Sequence, residues 1–92
     1  MRLLIRPEAD ADLDNIFEWI AKDNPRAATD MVRRIRAKLA LLATTGFAEI
    51  GRRGRDPGTR ELIVSPYIVV YEVYKERDEL VVLGVFHGAR KL

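Results

Sequence analysis

The stretch YIVVYEVYKERDELVVLGVF, residues 67–86, decides the fold of this chain. Two runs rich in Val, Ile and Tyr flank the charged segment KERDE at 75–79, a composition typical of two β-strands joined by a turn. A third such run, TRELIV at 59–64, precedes them across the short connection SP at 65–66. Because the connections are short, the three runs predict an antiparallel meander.

Two helices are predicted upstream of the meander. Pro7 suits the first turn of a helix, and apolar residues then recur at helical spacing, which predicts a first helix over about 7–22. Asn24 and Pro25 provide a cap and a first-turn residue for a second helix that continues to Gly46. Since about two residues separate the helices, they are expected to fold back as an antiparallel hairpin.

The remaining segments complete the predicted order of elements. RLLI at 2–5 predicts a short strand, whereas FAEIGRRGRDPG at 47–58 predicts a loop because glycine and proline recur in it. The order β-α-α-β-β-β indicates an α+β domain, with a mostly antiparallel sheet and the helical hairpin packed on one face. A chain of 92 residues suffices for one core, so a single domain over 1–92 is expected.

Composition excludes several classes of protein and site. Apolar residues make up 48% and charged residues 33% of the chain, a globular rather than a disordered balance. Without cysteine there is no disulfide, thiolate ligand or thiol nucleophile, and a single histidine does not build a closed metal site, so neither a metal nor a cofactor is expected. No apolar run reaches the length of a signal-peptide core or a membrane span, which favours a cytoplasmic protein with no membrane partner.

Charge is unevenly distributed along the chain. Residues 1–30 carry a net charge of −3, residues 31–60 of +6 and residues 61–92 of −1. The basic middle third suits nucleic acid or an acidic protein partner, although a solvated helix face and loop would have the same composition. Within GRRGR at 51–55, arginine side chains suit phosphate or carboxylate, and here too simple solvation is the alternative.

Residue types of an acid–base site fall on the meander. Alternation places Tyr67 and Tyr71 on one side of their strand and every second residue of 81–87 on one side of the last strand. Simple pairing would bring Arg60, one tyrosine and His87 to the sheet face that the helices leave uncovered. A base, an acid and a guanidinium are what cleavage of a phosphodiester by a 2′-hydroxyl requires. The alternative for His87, a structural role with a ring nitrogen bonded to a backbone carbonyl, is favoured.

Trp19 lies one position off the apolar stripe of the first helix. An exposed indole at this position would suit a partner interface. Partial burial in the core is the favoured expectation.

Four segments resemble a known family when taken together: RPEADADLDNIFEWIAKDNPRAA, GRDPGTREL, SPYIVVYEV and VVLGVFHGAR. In order and spacing they resemble the RelE/ParE superfamily of bacterial toxins from type II toxin–antitoxin systems, and specifically its ParE-like branch. The resemblance covers nearly the whole chain and implies a small sheet-plus-hairpin fold. It also implies a cognate antitoxin, ParD-like or similar, whose C-terminal segment wraps and neutralises the toxin in a hetero-oligomeric complex that binds operator DNA through the antitoxin.

The resemblance implies one of two activities. RelE-like members are ribosome-dependent mRNA endoribonucleases, and the residues here that would correspond to their catalytic cluster are Arg60, Tyr71, His87 and Arg90. ParE-like members lack most of that cluster and are associated with poisoning DNA gyrase.

The ParE-like activity is favoured. The chain ends in RKL without a tyrosine or phenylalanine, and lysine is absent from 39 to 74, so the catalytic set is incomplete. Gyrase inhibition with growth arrest and no enzymatic activity is therefore expected, and a non-toxic protein-binding module is a third hypothesis. The candidate contacts with target or antitoxin are Trp19, Arg52, Arg53, Arg55, Arg60 and Arg90.

Overall fold

The computed structural model describes residues 1–44 and 46–90, the last of these by its backbone alone. Two helices pack on one face of a five-stranded sheet, which confirms the predicted α+β architecture. The elements in chain order are β1 (Arg2–Ile5), α1 (Pro7–Ala21), α2 (Pro25–Leu42), β2 (Arg52–Arg53), β3 (Arg60–Val64), β4 (Tyr67–Tyr74) and β5 (Glu79–His87). Short 3₁₀ turns, Lys75–Arg77 and Gly88–Arg90, follow β4 and β5.

Helix starts follow the predicted signals. A proline opens each helix, and the side-chain oxygen of Asn24 accepts a hydrogen bond of 3.1 Å from the Ala27 N–H at the start of α2. The second helix ends at Leu42 rather than continuing to Gly46. Gly46 lies in the following loop with a φ of 90°, a conformation that glycine adopts without strain.

The sheet has the strand order β1-β5-β4-β3-β2. β3, β4 and β5 form the predicted antiparallel meander, whereas β1 pairs in parallel with β5, from Arg2 opposite Glu79 to Ile5 opposite Val82. Since Arg2 bonds Glu79 across this pair, the pKa of that carboxyl lies below its ordinary value.

The two-residue strand β2, which pairs with β3 beside the meander, was not predicted. Arg52 and Arg53 pair with Glu61 and Arg60, so the segment 47–58 is not wholly a loop. Two charged residues have no apolar alternation, and a strand this short therefore gives no periodic signal in the sequence.

A β-bulge changes the faces of β5. Tyr71 pairs with Val82 whereas Val70 pairs with Gly84, so Leu83 is an extra residue with no partner on β4. Side chains on the two sides of a bulge lose the simple alternation of a regular strand. The prediction that every second residue of this strand shares one face is therefore wrong.

The core lies between the helices and the sheet. Its fully or almost fully buried side chains come from both helices and three strands: Leu13, Ile16, Ile35, Leu39, Leu42, Val64, Tyr67, Val69, Tyr71, Leu80, Val82 and Val85. Within the described residues, no helix combines the length and apolar character needed to cross a membrane.

Candidate functional site

The residues predicted for an acid–base site share a sheet face, but the helices cover that face. Arg60 pairs with Tyr71 and Tyr67 pairs with His87, and residues directly opposite in antiparallel strands point to the same side. Both tyrosines belong to the core cluster against α1 and α2. The prediction of an uncovered face for these side chains is wrong.

The sequence contained a signal for the correct face. Glu72 shares its side of β4 with Val70, and Glu61 lies directly opposite Val70 on β3. Carboxylates are costly to bury, so the side of β4 that carries Glu72 faces away from the helices. Glu61 on that side is itself buried, and Arg52 neutralises it. The large rings of Tyr67 and Tyr71 then fill the core.

The two pairs do not converge. Arg60 with Tyr71 and Tyr67 with His87 lie four residues apart along β4, which corresponds to about 13 Å at about 3.3 Å per residue. We call the first pair and its surroundings the arginine end and the second pair and its surroundings the histidine end. A general acid and base must both lie within hydrogen-bond reach of one substrate, so these two ends do not form one compact acid–base site.

Arg60 at the arginine end holds the loop between α2 and β2. Its Nη1 donates hydrogen bonds to the backbone carbonyls of Glu49 at 3.2 Å and Gly51 at 2.9 Å, and its Nη2 lies 4.0 Å from the Glu49 carboxylate. The side chain is 34% exposed. Its guanidinium is thus largely committed to the protein's own backbone.

Tyr71 is sealed in the core beside this loop. Its hydroxyl accepts a hydrogen bond of 3.0 Å from the Gly51 N–H, and no part of the residue is exposed. Burial raises the pKa of Tyr71, and the bond from Gly51 only partly opposes this effect. A β-carbon on Gly51 would lie 2.5 Å from the Tyr71 oxygen, so this close approach requires glycine.

The three arginines of GRRGR differ in their partners. Arg52 donates from Nε and Nη2 to Glu61 Oε1 at 3.0 and 2.9 Å, which neutralises a buried carboxylate. Arg53 is exposed, lies directly opposite Arg60 on the neighbouring strand, and makes no hydrogen bond or ion pair to any described residue. Arg55 is also exposed.

A cleft of about 810 Å³ opens at the arginine end. We call it the arginine cleft; its lining residues are Glu49, Arg53, Gly54, Arg55, Pro57, Gly58, Thr59, Arg60 and Val73. Four of the predicted contact residues, Arg52, Arg53, Arg55 and Arg60, thus lie close together, and three of them line this cleft.

His87 at the histidine end is the last residue of β5. Its ring packs edge-on against Tyr67, with centroids 5.4 Å apart and planes at 80°. Its Nδ1 accepts a hydrogen bond of 3.0 Å from the Ala89 N–H, which places the proton of the neutral ring on Nε2. We expected a ring nitrogen of His87 to bond a backbone carbonyl. At Nδ1 the ring instead accepts a hydrogen bond, because the turn Gly88–Arg90 places a backbone N–H beside it.

Asp12 is a residue of this end that the sequence did not single out. Its Oδ2 accepts a hydrogen bond of 2.9 Å from the Val85 N–H, next to the bulge of β5. The contact joins α1 to the sheet across 73 residues of sequence. A carboxylate early in a helix is explained equally well by the helix dipole, so the sequence alone carried no signal for this bond.

Trp19 is 61% exposed, so the expectation of partial core burial is wrong and the exposed alternative holds. Its ring has the Lys22 Nζ at 5.3 Å from the centroid, and it borders a cleft of about 360 Å³ that Asn15 and His87 also line. An exposed indole at the last turn of α1 costs little stability. The side chain of Arg90, the remaining candidate, lies outside the described part of the chain.

Metal chemistry has no geometric basis in the described ranges. Among residues 1–44 and 46–90, no three His, Asp or Glu side chains are grouped closely enough to hold an ion.

Comparison with known proteins identifies a family. A family model described as the ParE toxin of the type II toxin–antitoxin system parDE matches residues 3–92. A protein of Sinorhizobium fredii (strain NBRC 101917 / NGR234), Y4kP, whose name assigns it as a toxin, is 38% identical over 73 residues, which cover 77% of this chain and 74% of that relative.

Three solved structures share the fold of this chain. The chromosomal ParDE system of P. aeruginosa contains a chain that is 26% identical, with a TM-score of 0.81 over 95% of each chain. The RelBE2 toxin–antitoxin complex of Mycobacterium tuberculosis gives 22% identity and a TM-score of 0.59 over 94% of this chain and 95% of the other. The isolated E. coli RelE toxin is 17% identical, with a TM-score of 0.64 over 98% of this chain and 86% of the other. The matches to RelBE2 and RelE show the fold alone.

Proposed function

Because the chain belongs to the ParE toxin family of type II toxin–antitoxin systems, we propose that it arrests growth by inhibiting DNA gyrase. The observation that supports this target over messenger RNA is the separation of the acid–base residue types. Arg60 pairs with Tyr71 and His87 pairs with Tyr67, and these partners lie about 13 Å apart along β4.

Each of the three members of the nuclease set whose side chains the structure describes has a structural role in its own surroundings. Arg60 bonds loop carbonyls, Tyr71 is sealed below Gly51, and His87 bonds the turn that follows β5. Loss of one acid–base partner costs about 10²- to 10⁴-fold in rate, so a nuclease whose partners are divided between the two ends would be very slow. A toxin that acts by binding a protein target has no such requirement.

A cognate antitoxin, ParD-like or similar, neutralises the toxin in this proposal and carries the complex to operator DNA. The helical hairpin offers a groove of about 290 Å³, lined by Phe17 and Val32 with Arg33 and Arg36 beside them. An amphipathic helix inserts apolar side chains into such a groove, and acidic residues on it would match the arginines.

Two assays on the purified toxin test the proposed target. In a supercoiling assay, the toxin should inhibit DNA gyrase, and in a ribosome–mRNA assay it should leave the message intact. Toxin premixed with the cognate antitoxin is the control and should inhibit neither reaction.

Expression in cells separates the other hypotheses. Without antitoxin, the chain should arrest growth, and co-expression of the antitoxin should restore it. Cleavage of ribosome-bound mRNA with supercoiling unaffected would establish the endoribonuclease instead, and normal growth would leave only a non-toxic binding module.

A further inference from the structure

The cleft of about 360 Å³ beside Trp19 combines a carboxylate with aromatic rings. We call it the tryptophan cleft. It lies where α1 meets the end of β5, and its lining includes Asp12, Asn15, Trp19, Tyr67, Phe86 and His87. The groove proposed for the antitoxin is lined by other residues, so the tryptophan cleft is a separate feature of the surface.

Asp12 brings to this cleft a negative charge that no cation among the described residues neutralises. Its Oδ2 accepts a hydrogen bond from the Val85 N–H, which is a neutral donor. Its Oδ1 makes no hydrogen bond or ion pair within residues 1–44 and 46–90. Because Asp12 lines the cleft and is only half-buried, this oxygen can meet a donor from outside the protein.

The surroundings of Asp12 favour a cation over an anion. Asp14 and Glu18 on the same helix also make no ion pair with any described residue, and residues 1–30 carry a net charge of −3. A negative field of this kind repels phosphate and attracts basic groups. The ligand of this cleft is therefore positively charged.

The aromatic walls favour a flat cation. Aromatic faces attract both ammonium and guanidinium groups, but only the planar guanidinium of arginine also stacks on a ring. A cation is already accommodated at the indole, since Lys22 Nζ lies 5.3 Å from the centroid of Trp19. Lys22 makes no ion pair with Asp12, so the carboxylate is left for another partner.

The size of the cleft limits what enters it. A compact volume of about 360 Å³ is about 7 Å across, narrower than an α-helix with its side chains at about 10 Å. A single side chain fits, whereas a docked helix does not.

We propose that the tryptophan cleft binds one arginine side chain of a protein partner. The guanidinium donates a charge-assisted hydrogen bond to Asp12 Oδ1 and stacks on the aromatic walls, while Asp12 Oδ2 keeps its bond from Val85. The partner segment is basic, in contrast to the acidic helix proposed for the hairpin groove. Binding here does not require gyrase inhibition, so it holds or fails independently of the proposed function.

The test uses Nα-acetyl-arginine amide as the probe and Nα-acetyl-citrulline amide, which has a similar shape and no charge, as its control. Trp19 is the only tryptophan of the chain, so its fluorescence reports occupation of the cleft. At about 0.15 M salt the emission should change saturably with the arginine probe, at a Kd of about 1 mM, as expected for a ligand of this size. The citrulline probe should bind at least about tenfold more weakly.

Two variants locate the contact. Asp12→Asn removes the charge but can still accept the bond from the Val85 N–H, and it should weaken the arginine probe at least about tenfold. Asp14→Asn removes the same charge from an exposed position outside the cleft lining, and its Kd should stay within about twofold of the wild type. The chemical shift of the Val85 amide gives a second reading of binding, because this N–H bonds the same carboxylate.

Four results would overturn the inference. Equal affinity for the citrulline probe would exclude recognition of charge, and equal affinity for Nα-acetyl-lysine amide would exclude selection of a flat cation. An unchanged Kd in folded Asp12→Asn would remove Asp12 from the site. If neither the Trp19 emission nor the Val85 shift of the wild type responds to the arginine probe, the cleft does not bind arginine. Should Asp12→Asn fail to fold, the three probes on the wild type decide.

Discussion

The arginine end and the histidine end of β4 use similar residue types in different ways. At the arginine end, Tyr71 and Gly51 are in contact without space between them, and the hydroxyl has no access to solvent. At the histidine end, His87 is only half-buried, and Asp12 bonds the backbone beside a bulge near the surface.

The difference shows where a small sheet needs polar side chains. The arginine end fixes the loop that follows α2, and the histidine end satisfies backbone groups where β5 is irregular. Tightly packed positions tolerate change less than half-exposed ones, so substitutions at the arginine end should have the larger effects.

Gly51→Ala should have the largest effect. The new β-carbon would lie 2.5 Å from the Tyr71 oxygen and 2.8 Å from the Glu61 carbonyl, so the loop or the ring must move. We expect the free energy of unfolding, measured by urea denaturation, to fall by about 3 kcal/mol.

The Tyr71→Phe background is the control for Gly51→Ala. Without the hydroxyl the nearest clash disappears, and the alanine should cost less there than in the wild type, although the contact with Glu61 persists. An unchanged urea midpoint for Gly51→Ala alone would contradict the close packing described for this end.

Asp12→Ala tests the histidine end and should have an intermediate effect. The change leaves the Val85 N–H beside the bulge without its carboxylate acceptor, and we expect a loss of about 2 kcal/mol in the free energy of unfolding. Asp14→Ala, at an exposed position of the same helix, should change stability by less than about 0.5 kcal/mol. Equal effects of the two changes would mean that the Asp12 bond contributes nothing.

His87→Gln should have the smallest effect. The edge-on contact with Tyr67 is lost, which costs about 1 kcal/mol or less, and glutamine can still accept a hydrogen bond from the Ala89 N–H. Growth arrest on expression should stay within about twofold of the wild type if the ring is not a proton-transfer group. Complete loss of toxicity in a folded variant would favour the nuclease. It would also mean that the arginine end and the histidine end act as one functional site.

Local patterns were sufficient for most elements of the fold. Proline at each helix start, the Asn24 cap and three β-rich runs depend on neighbours in sequence, and the structure confirms the elements that they predict. The parallel pairing of β1 with β5 was not foreseen, because strands so far apart in the chain leave no local signal of their pairing.

The candidate site was harder to predict because it depends on register. A single extra residue, Leu83, reverses the alternation of β5. The neighbouring Gly84 was the available signal, because a glycine inside a strand pattern suggests a bulge. The face of Tyr71 could have been assigned from Glu72, whose carboxylate occupies the other side of β4. The bond from Gly51 to Tyr71 joins residues of different elements, and no spacing rule announces such a contact.

The pairing of β1 with β5 determines how truncating mutations should affect this protein. β5 supports β1 through four ladder positions and also bonds α1 through Asp12, so both early elements depend on a strand that is synthesised after them. A premature stop codon before residue 79 would therefore deprive β1 and α1 of this support. Such a nonsense mutation should inactivate the protein as thoroughly as one at the start of the gene, which makes disarmed alleles easy to acquire.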